Sequence, residues 1–537
     1  MDLMMPNDSM FLFIESREHP MHVGGLSLFE PPQGAGPEFV REFTERLVAN
    51  DEFQPMFRKH PATIGGGIAR VAWAYDDDID IDYHVRRSAL PSPGRVRDLL
   101  ELTSRLHTSL LDRHRPLWEL HVVEGLNDGR FAMYTKMHHA LIDGVSAMKL
   151  AQRTLSADPD DAEVRAIWNL PPRPRTRPPS DGSSLLDALF KMAGSVVGLA
   201  PSTLKLARAA LLEQQLTLPF AAPHSMFNVK VGGARRCAAQ SWSLDRIKSV
   251  KQAAGVTVND AVLAMCAGAL RYYLIERNAL PDRPLIAMVP VSLRSKEDAD
   301  AGGNLVGSVL CNLATHVDDP AQRIQTISAS MDGNKKVLSE LPQLQVLALS
   351  ALNMAPLTLA GVPGFLSAVP PPFNIVISNV PGPVDPLYYG TARLDGSYPL
   401  SNIPDGQALN ITLVNNAGNL DFGLVGCRRS VPHLQRLLAH LESSLKDLEQ
   451  AVGSLKNPYS CPSSARVCCC IGRAPVSSTS FWRIRAARFG RERTTALGRS
   501  RRANTPAAKI RGWPPGASSP RRSGCACLTG RESTSGR

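Results

Sequence analysis

The chain has 537 residues, a formal charge of +11 and a pI near 9.3, a balance that on its face invites a nucleic-acid partner. Position removes that reading: residues 455–537 hold fifteen Arg and two Lys against two Glu and no Asp, a charge of +15, which leaves −4 on residues 1–454. The length allows two or three domains with large cores, and the mildly acidic body excludes a broad basic face for nucleic acid.

The opening MDLMMPNDSMFLF lacks a basic n-region and does not read as a secretory signal. Strands and helices alternate to about Asp158. Within them, LHVVEGL (Leu120–Leu126) and RFAMYTKM (Arg130–Met137) flank Asn127-Asp128-Gly129, a turn signal that predicts a β-hairpin. Phe131, Met133, Thr135 and Met137 share one face of its second strand, with Ala132, Tyr134 and Lys136 opposite. The strand ends in His138 and His139. From Gly144, the apolar residues Val145, Met148, Leu150 and Ala151 recur at helical spacing. HHALIDG therefore sits on a strand-to-helix connection, a usual place for a site in an α/β protein.

PPRPRTRPPS (Pro171–Ser180) reads as a linker because proline removes donors and fixes the backbone. The apolar stretch Leu185–Leu212 follows, and a second body begins near Met226. In VTVNDAVLAMCAGALRYYL, Thr257 and Asp260 have capping-box spacing, and Val262, Met265, Cys266, Ala269, Leu270 and Tyr273 form a helical stripe. Leu285–Ser292, Phe373–Ser378, ALNITLVN and NLDFGLV read as strands, and leucines 434, 437, 438, 441, 445 and 448 make a closing helix. Val346–Leu366 is the nearest approach to a long apolar run, but Asn353, Pro356 and Pro363 break it. It and Leu185–Leu212 read as buried core elements, with membrane contact as the alternative. The expected division is thus 1–158, a linker and apolar segment at 159–225, and 226–454.

Beyond 454 the periodicity stops. A stretch dense in Arg, Ser, Pro, Gly and Ala with a CCC run cannot bury enough apolar surface to order itself. It reads as a disordered tail, with the look of a frameshift product; a basic tail that touches acidic lipid or nucleic acid is the alternative. Removing residues 455–537 is expected to leave activity intact. The four body cysteines, Cys237, Cys266, Cys311 and Cys427, are scattered without a CxxC pair, as in a reduced cytosolic protein.

A bare HxxxD carries little information: with thirteen histidines and Asp at ~5% of positions, about 0.6 matches arise by chance. The full strand-HHxxxDG-helix context carries more. A strand-end histidine is suited to general-base work because its ordinary pKa lies near neutrality. Asp143 would pin the loop, and Gly144 would permit close backbone approach. One of the pair, His138, could equally be a hydrogen-bonded core residue. No HExxH or cysteine set supplies a metal site. There is also no GxSxG elbow, GxxxxGK[ST] loop or GxGxxG turn after a strand.

At these residues the sequence resembles the bacterial wax ester synthase/diacylglycerol acyltransferase family, its triacylglycerol synthase branch especially. The likeness rests on HHALIDG and on ESREHPMHVGGLSLFEPP, LDRHRPLWELHVVEGLNDGRFA, NDAVLA, SNVPGP and DGQALNIT, in that family's order across nearly all of residues 1–454. It implies two chloramphenicol-acetyltransferase-like α/β domains, with mixed sheets flanked by helices and an active-site tunnel at their interface. It implies His139 as the base that deprotonates a lipid alcohol for attack on an acyl-CoA thioester. Asp143 would organise the loop, with Arg294 a possible partner. Asn259, beside Asp260, would steady the oxyanion or simply start a helix. Pro116, Leu117 and Trp118 would shape the acyl channel or simply pack. Ser378 and Asn379 would contact substrate or merely turn the chain. Two departures stand out: Cys427 where a polar residue is expected, and Asn415-Asn416 as the turn of a hairpin.

The expected activity is diacylglycerol O-acyl transfer from acyl-CoA, with no cofactor. A wax ester synthase, or a non-catalytic lipid-binding module of the condensation type, is the alternative. The expected partners are acyl-CoA, the acceptor lipid and a membrane or lipid-droplet surface at the cytoplasmic face, not nucleic acid.

Overall fold

The chain starts with a short strand β1 (Asp2–Leu3), the helix α1 (Pro6–Ile14) and the long strand β2 (His22–Glu30). Next come α2 (Phe39–Val48), β3 (Lys59–Thr63), β4 (Arg70–Tyr75), α3 (Ile81–His84), β5 (Val85–Ala89) and α4 (Val96–Thr108). The hairpin β6 (Trp118–Glu124) and β7 (Phe131–His138) then runs into α5 (Gly144–Gln152). The later elements are β8 (Arg235–Ser243), α6 (Leu244–Ala254), α7 (Val258–Ile275), β9 (Ile286–Ser292), β10 (Val306–Asn312) and α8 (Pro320–Glu340). They continue with α9 (Phe365–Ala368), β11 (Ile375–Val380), β12 (Tyr388–Tyr389), β13 (Ala392–Leu400), β14 (Leu409–Asn416), β15 (Asn419–Cys427) and α10 (Arg436–Ala451). This computed structural model describes residues 2–63, 70–171, 221–292, 306–340, 346 and 364–453. Nearly all of the Pro171–Ser180 linker, Leu185–Leu212, Arg294, most of Val346–Leu366 and the tail lie outside the described residues.

Two six-stranded mixed sheets organise these elements, one in the order β12-β13-β2-β7-β6-β5 and the other β10-β9-β11-β14-β15-β8, beside a small sheet β1-β4-β3. Pairing is antiparallel except for β5 with β6 and β11 with both β9 and β14. The β6–β7 hairpin closes where Gly129, at φ 83°, donates its N–H to the Leu126 carbonyl at 3.1 Å. Both faces of β7 are buried. Phe131, Met133 and Met137 pack with Trp118 and Trp168, while Ala132 and Tyr134 join the larger core that runs under the second sheet. Lys136 shares the latter face; its ammonium lies 3.1 Å from Glu119 and donates to the Leu106 and Ser109 carbonyls.

Sheet membership departs from the expected division at one place. Residues of β12 and β13, inside the supposed second body, extend the first sheet, β13 pairing with β2, Leu26 opposite Tyr398, and β12 with β13. Strand β13 then lies across the second sheet so closely that a Cβ at Gly423 would meet the Pro399 carbonyl oxygen at 1.9 Å. Gly382, in SNVPGP, is needed for a similar reason, since a Cβ there would meet the Asn415 carbonyl oxygen at 2.0 Å. In return, α4 supports the edge strand β8: Ser104 Oγ accepts from the Cys237 N–H at 2.9 Å and Thr108 Oγ1 from the Arg235 N–H at 3.1 Å.

Helix α7 begins with the expected capping box, Thr257 N–H to Asp260 Oδ2 at 3.0 Å and Asp260 N–H to Thr257 Oγ1 at 3.2 Å. It is buried from Asp260 through Leu270 on every side, more than a single stripe, because α6, α8 and α10 all pack on it. The β14–β15 turn is Ala417-Gly418, both at positive φ, rather than Asn415-Asn416. Asn416 is instead a buried strand residue, 3.0 Å from Asp421. Cys427 is buried, its sulfur accepting from the Gly232 N–H at 3.3 Å and the Ser430 hydroxyl at 3.5 Å, which explains a cysteine in that place.

Candidate active site

The start of β2 and the end of β7 lie side by side, His22 opposite His138, so the histidine motif leaves the middle of the first sheet. Backbone bonds clamp the exit. His138 N–H donates to the Leu117 carbonyl at 3.0 Å, and His139 N–H to the Met21 carbonyl at 2.8 Å. A tight turn follows, with the Leu141 N–H on the His138 carbonyl at 2.9 Å.

His138 is wholly buried, and its two nitrogens have different partners. Nδ1 accepts the Ala140 N–H at 3.0 Å, so the proton belongs on Nε2, which lies 3.2 Å from Glu15 Oε1. Glu15 also accepts the Met21 N–H at 3.1 Å and two donors of Arg113, Nε at 3.0 Å and Nη2 at 2.8 Å. Burial works to raise this carboxyl, but the contacts of His138, Met21 and Arg113 outweigh it and hold Glu15 below its ordinary range. Arg113 also donates to the Leu12 carbonyl at 2.8 Å, tying α1 to the network.

His139 differs from its neighbour. Its ring is half-buried, stacks on Phe11 of α1 with centroids 5.0 Å apart and planes 16° from parallel, and has no hydrogen bond among the described residues. Burial, and then the neighbouring His138, push its pKa down to about 4, with Asp143 pulling weakly the other way. At neutral pH it is an uncharged imidazole with a nitrogen lone pair to offer. Asp143 is the N-cap of α5, accepting the Ser146 N–H at 2.9 Å and the Ser146 hydroxyl at 2.6 Å. Gly144 opens that helix. A Cβ there would meet only Val23 at 3.5 Å, an ordinary contact, so packing inside the chain does not require the glycine there.

The remaining sequence-predicted residues divide. Leu117 belongs with the motif, through its carbonyl and through a cluster with Met4, Leu12, Trp73, Leu111 and Ala140. Trp118 points to the other face of the strand and is a packed core residue instead of a channel wall. Its Nε1 donates to the Phe57 carbonyl at 2.9 Å, and its ring stacks on His84 at 4.4 Å and Trp168 at 5.3 Å. Pro116 is buried, its carbonyl accepting the Trp118 N–H at 2.9 Å. Asp260 is fully buried and turned to Thr257 and Ser328, a helix cap rather than a substrate contact. Asn259, Ser378 and Asn379 are half-buried, on α7 and β11, and their side chains make no hydrogen bond with the described residues.

Sequence reasoning passed over Glu15, Arg113, Phe11 and Met21. Glu15 and Arg113 stand in the quoted stretches ESREHP and LDRHRPLW, opposite charges in otherwise distinctive segments. Nothing in the sequence pairs positions 98 apart.

Two mixed sheets thus carry a histidine pair where a central strand of one of them turns into a helix. A family model described as the wax ester synthase/diacylglycerol acyltransferase catalytic domain matches residues 4–262, and the WS/DGAT C-terminal domain matches 302–449. A Mycobacterium tuberculosis protein, named as a candidate diacylglycerol O-acyltransferase, is 62% identical over 84% of this chain and 100% of its own length. An Acinetobacter baylyi protein named O-acyltransferase WSD is 39% identical over 83% of this chain and 97% of its own. The solved wax ester synthase/diacylglycerol acyltransferase from Marinobacter aquaeolei VT8 superposes with a TM-score of 0.67 at 39% identity, covering 84% of this chain and all of that one. The starter condensation domain of rhizomide synthetase shares the fold, with a TM-score of 0.50 at 13% identity over 84% of this chain and 94% of that one. The chain belongs to the wax ester synthase/diacylglycerol acyltransferase family and is an acyltransferase.

Proposed function

We propose that the chain completes triacylglycerol by moving an acyl group from acyl-CoA to the free hydroxyl of 1,2-diacylglycerol, with His139 as general base. His139 takes the hydroxyl proton as that oxygen attacks the thioester carbonyl. The tetrahedral intermediate collapses with loss of the carbon–sulfur bond, and His139 returns the proton to the leaving thiolate, giving free CoA. No covalent enzyme intermediate and no cofactor enter; acyl-CoA is consumed as a substrate. Asp143 shapes the loop by capping α5, and the unengaged side chains of Asn259, Ser378 and Asn379 are available to the substrates, Asn259 as an oxyanion donor.

One observation carries this reading: the His139 imidazole is uncharged, half-buried and without a hydrogen bond among the described residues, beside a His138 that contacts the Glu15–Arg113 pair. His138, by contrast, has Nδ1 engaged by the Ala140 N–H and Nε2 turned to the Glu15 carboxylate at 3.2 Å. Diacylglycerol is favoured as acceptor because the relative at 62% identity is named for it. A long-chain alcohol is the second reading, because the Marinobacter protein is named for both activities.

Purified protein incubated with radiolabelled palmitoyl-CoA and either dioleoylglycerol or hexadecanol separates them. Labelled triacylglycerol as the main product is expected. A dominant wax ester would reassign the acceptor, and acyl-CoA binding with no product would make the chain a lipid-binding module. Because the acceptor is a lipid, we place the reaction at a membrane or lipid-droplet surface on the cytoplasmic side. Among the described residues no single helix is long and apolar enough to cross a membrane; the bent pair α6–α7 passes by composition, but α7 is core.

A further inference from the structure

Helix α1 has two faces that serve different neighbours. Inward, Phe11 stacks on His139 and Leu12 packs with Leu117 and Ala140 of the motif. Outward, Met10, Phe13 and Ile14 face solvent, and Phe13 is 90% exposed. The short pairing of β1 with β4 sets more apolar surface beside them: Leu3 at 76% exposure, with Met5 and Val71, the latter joined to Met4 by a backbone bond of 2.9 Å. Of the nine residues in PNDSMFLFI only Asp8 carries a charge, and its carboxyl is half-buried, turned to Trp73 and held above its ordinary range by burial. A cluster of large apolar side chains left in water, with no charge on the helix ridge between them, marks a surface meant for an apolar partner.

We propose that this face of α1, with Leu3, Met5 and Val71, is where the enzyme seats itself on a lipid surface, so that the acceptor reaches His139 from that side. The proposal rests on the acyl-transfer reading and names the surface that serves it. Diacylglycerol stays in the lipid phase, so an enzyme that uses it must bring its base to the interface. A helix lying at the boundary sinks its apolar face into the headgroup region, and its own thickness is about 10 Å. The ring on its inner side, Phe11, and the imidazole stacked on it are then about one helix diameter from the depth where the acceptor hydroxyl lies. Movement of Phe11 would uncover His139 to that hydroxyl. A second copy of the chain would serve the exposed face but would give no reason for the inner face to touch the catalytic imidazole.

The test is flotation with phosphatidylcholine/phosphatidylglycerol vesicles carrying dioleoylglycerol, together with turnover on those vesicles and on hexanol, an acceptor that dissolves as monomers. The double variant M10S/F13S alters side chains outside the motif's core. Val384→Ser, an apolar residue 74% exposed in the second half, is the control. The wild type and the control are expected to float. The double variant is expected to stay in solution and lose at least tenfold of its turnover on vesicles, while hexanol turnover is unchanged. Flotation of the double variant equal to the wild type overturns the proposal, as does loss of hexanol turnover in step with the vesicle reaction. A wild type that is dimeric, fails to float, and becomes monomeric in the variant assigns the face to a second copy and also overturns it. A wild type that floats, with a double variant that does not, supports the docking face even where neither alcohol is acylated, and it is then the acyl-transfer reading that fails.

Discussion

Glu15 and Asp421 are both buried carboxylates, yet burial leaves them in opposite states. Glu15 sits by the histidine motif with the Arg113 guanidinium on one oxygen and His138 on the other, and these partners overcome desolvation to keep it ionised. Asp421 lies where β13 crosses the second sheet. It accepts the Ser397 N–H at 2.7 Å and the Asn416 amide at 3.0 Å, but no cation among the described residues pairs with it, and burial pushes its pKa up to about 7. Arg130 is engaged by Asp395 and Asp128, each at 2.6 Å. A paired charge can orient a neighbouring histidine in every cycle. A near-neutral acid joins two sheets with little charge to desolvate. On the proposed mechanism the first network serves the chemistry and the second the architecture, and each can be broken separately.

The largest effect belongs to His139, the neighbour of the residue that the first network holds. His139→Ala is expected to lower kcat/KM by about a thousandfold or more, at the upper range of general-base losses, with an unchanged circular dichroism spectrum. In the wild type, kcat/KM should stay flat from pH 8 down to about 5 and fall below about 4, where His139 becomes protonated. An activity limb near 6.5 instead would mean that the base is an ordinary exposed histidine.

Glu15→Gln comes next. It leaves Arg113, 29% exposed, without its anion, so unfolding in urea should show a loss of about 1–2 kcal/mol, below the scale of a fully buried ion pair. Turnover should also drop at least tenfold as His138 loses its anchor. Destabilisation with wild-type turnover would demote the network to structure and erase the contrast with Asp421.

Asp421→Asn should do the reverse. The folded pKa is raised above the unfolded value, so the wild type binds the extra proton when folded, and its stability is complete below about pH 4 and falls as pH rises through 7. A shift of about three units corresponds to roughly 4 kcal/mol at full ionisation, a ceiling that local relaxation lowers. The variant should therefore melt near the wild type at pH 4, above it at pH 8.5, and keep its kcat. A wild-type melting temperature that does not change with pH across 5 to 8.5 would show that Asp421 has a cation partner after all.

These two networks also show what was legible in the sequence. The hairpin, the capping box and the strand-to-helix setting of HHALIDG depend on neighbours within a few residues, and a turn residue or an alternation announces each. The resemblance supplied the fold class and the role proposed for His139. The pairing of Glu15 with Arg113 is a relation between distant positions and leaves no local trace. Strand β13 was missed for another reason: Asp395, Gly396 and Pro399 interrupt its pattern, and the register slips between Leu394 and Gly396. Those irregularities are what let it serve two sheets. For Trp118, packing was one of the two expected readings, and for Asp260 the helix cap followed from the Thr257 spacing; a motif fixes which residues recur, whereas the face they turn to is set by packing.

Trp118 gives the smallest effect and the sharpest control, because it is a buried polar group in the first sheet with neither an ionic partner nor a share in the histidine network. Trp118→Phe removes the indole N–H from the Phe57 carbonyl while keeping an aromatic ring between His84 and Trp168. The orphaned carbonyl and lost contact area should cost about 1–2 kcal/mol in urea unfolding. Were the indole a wall of the acyl channel, the variant would also alter the relative kcat/KM for palmitoyl-CoA and octanoyl-CoA. Its stacking on the far face of β6 predicts that the ratio stays at the wild-type value. A neutral hydrogen bond one strand from the motif would then affect stability alone, while an ionised one beside it affects turnover, so charge and contact with His138, not proximity, divide the two kinds of buried polar group.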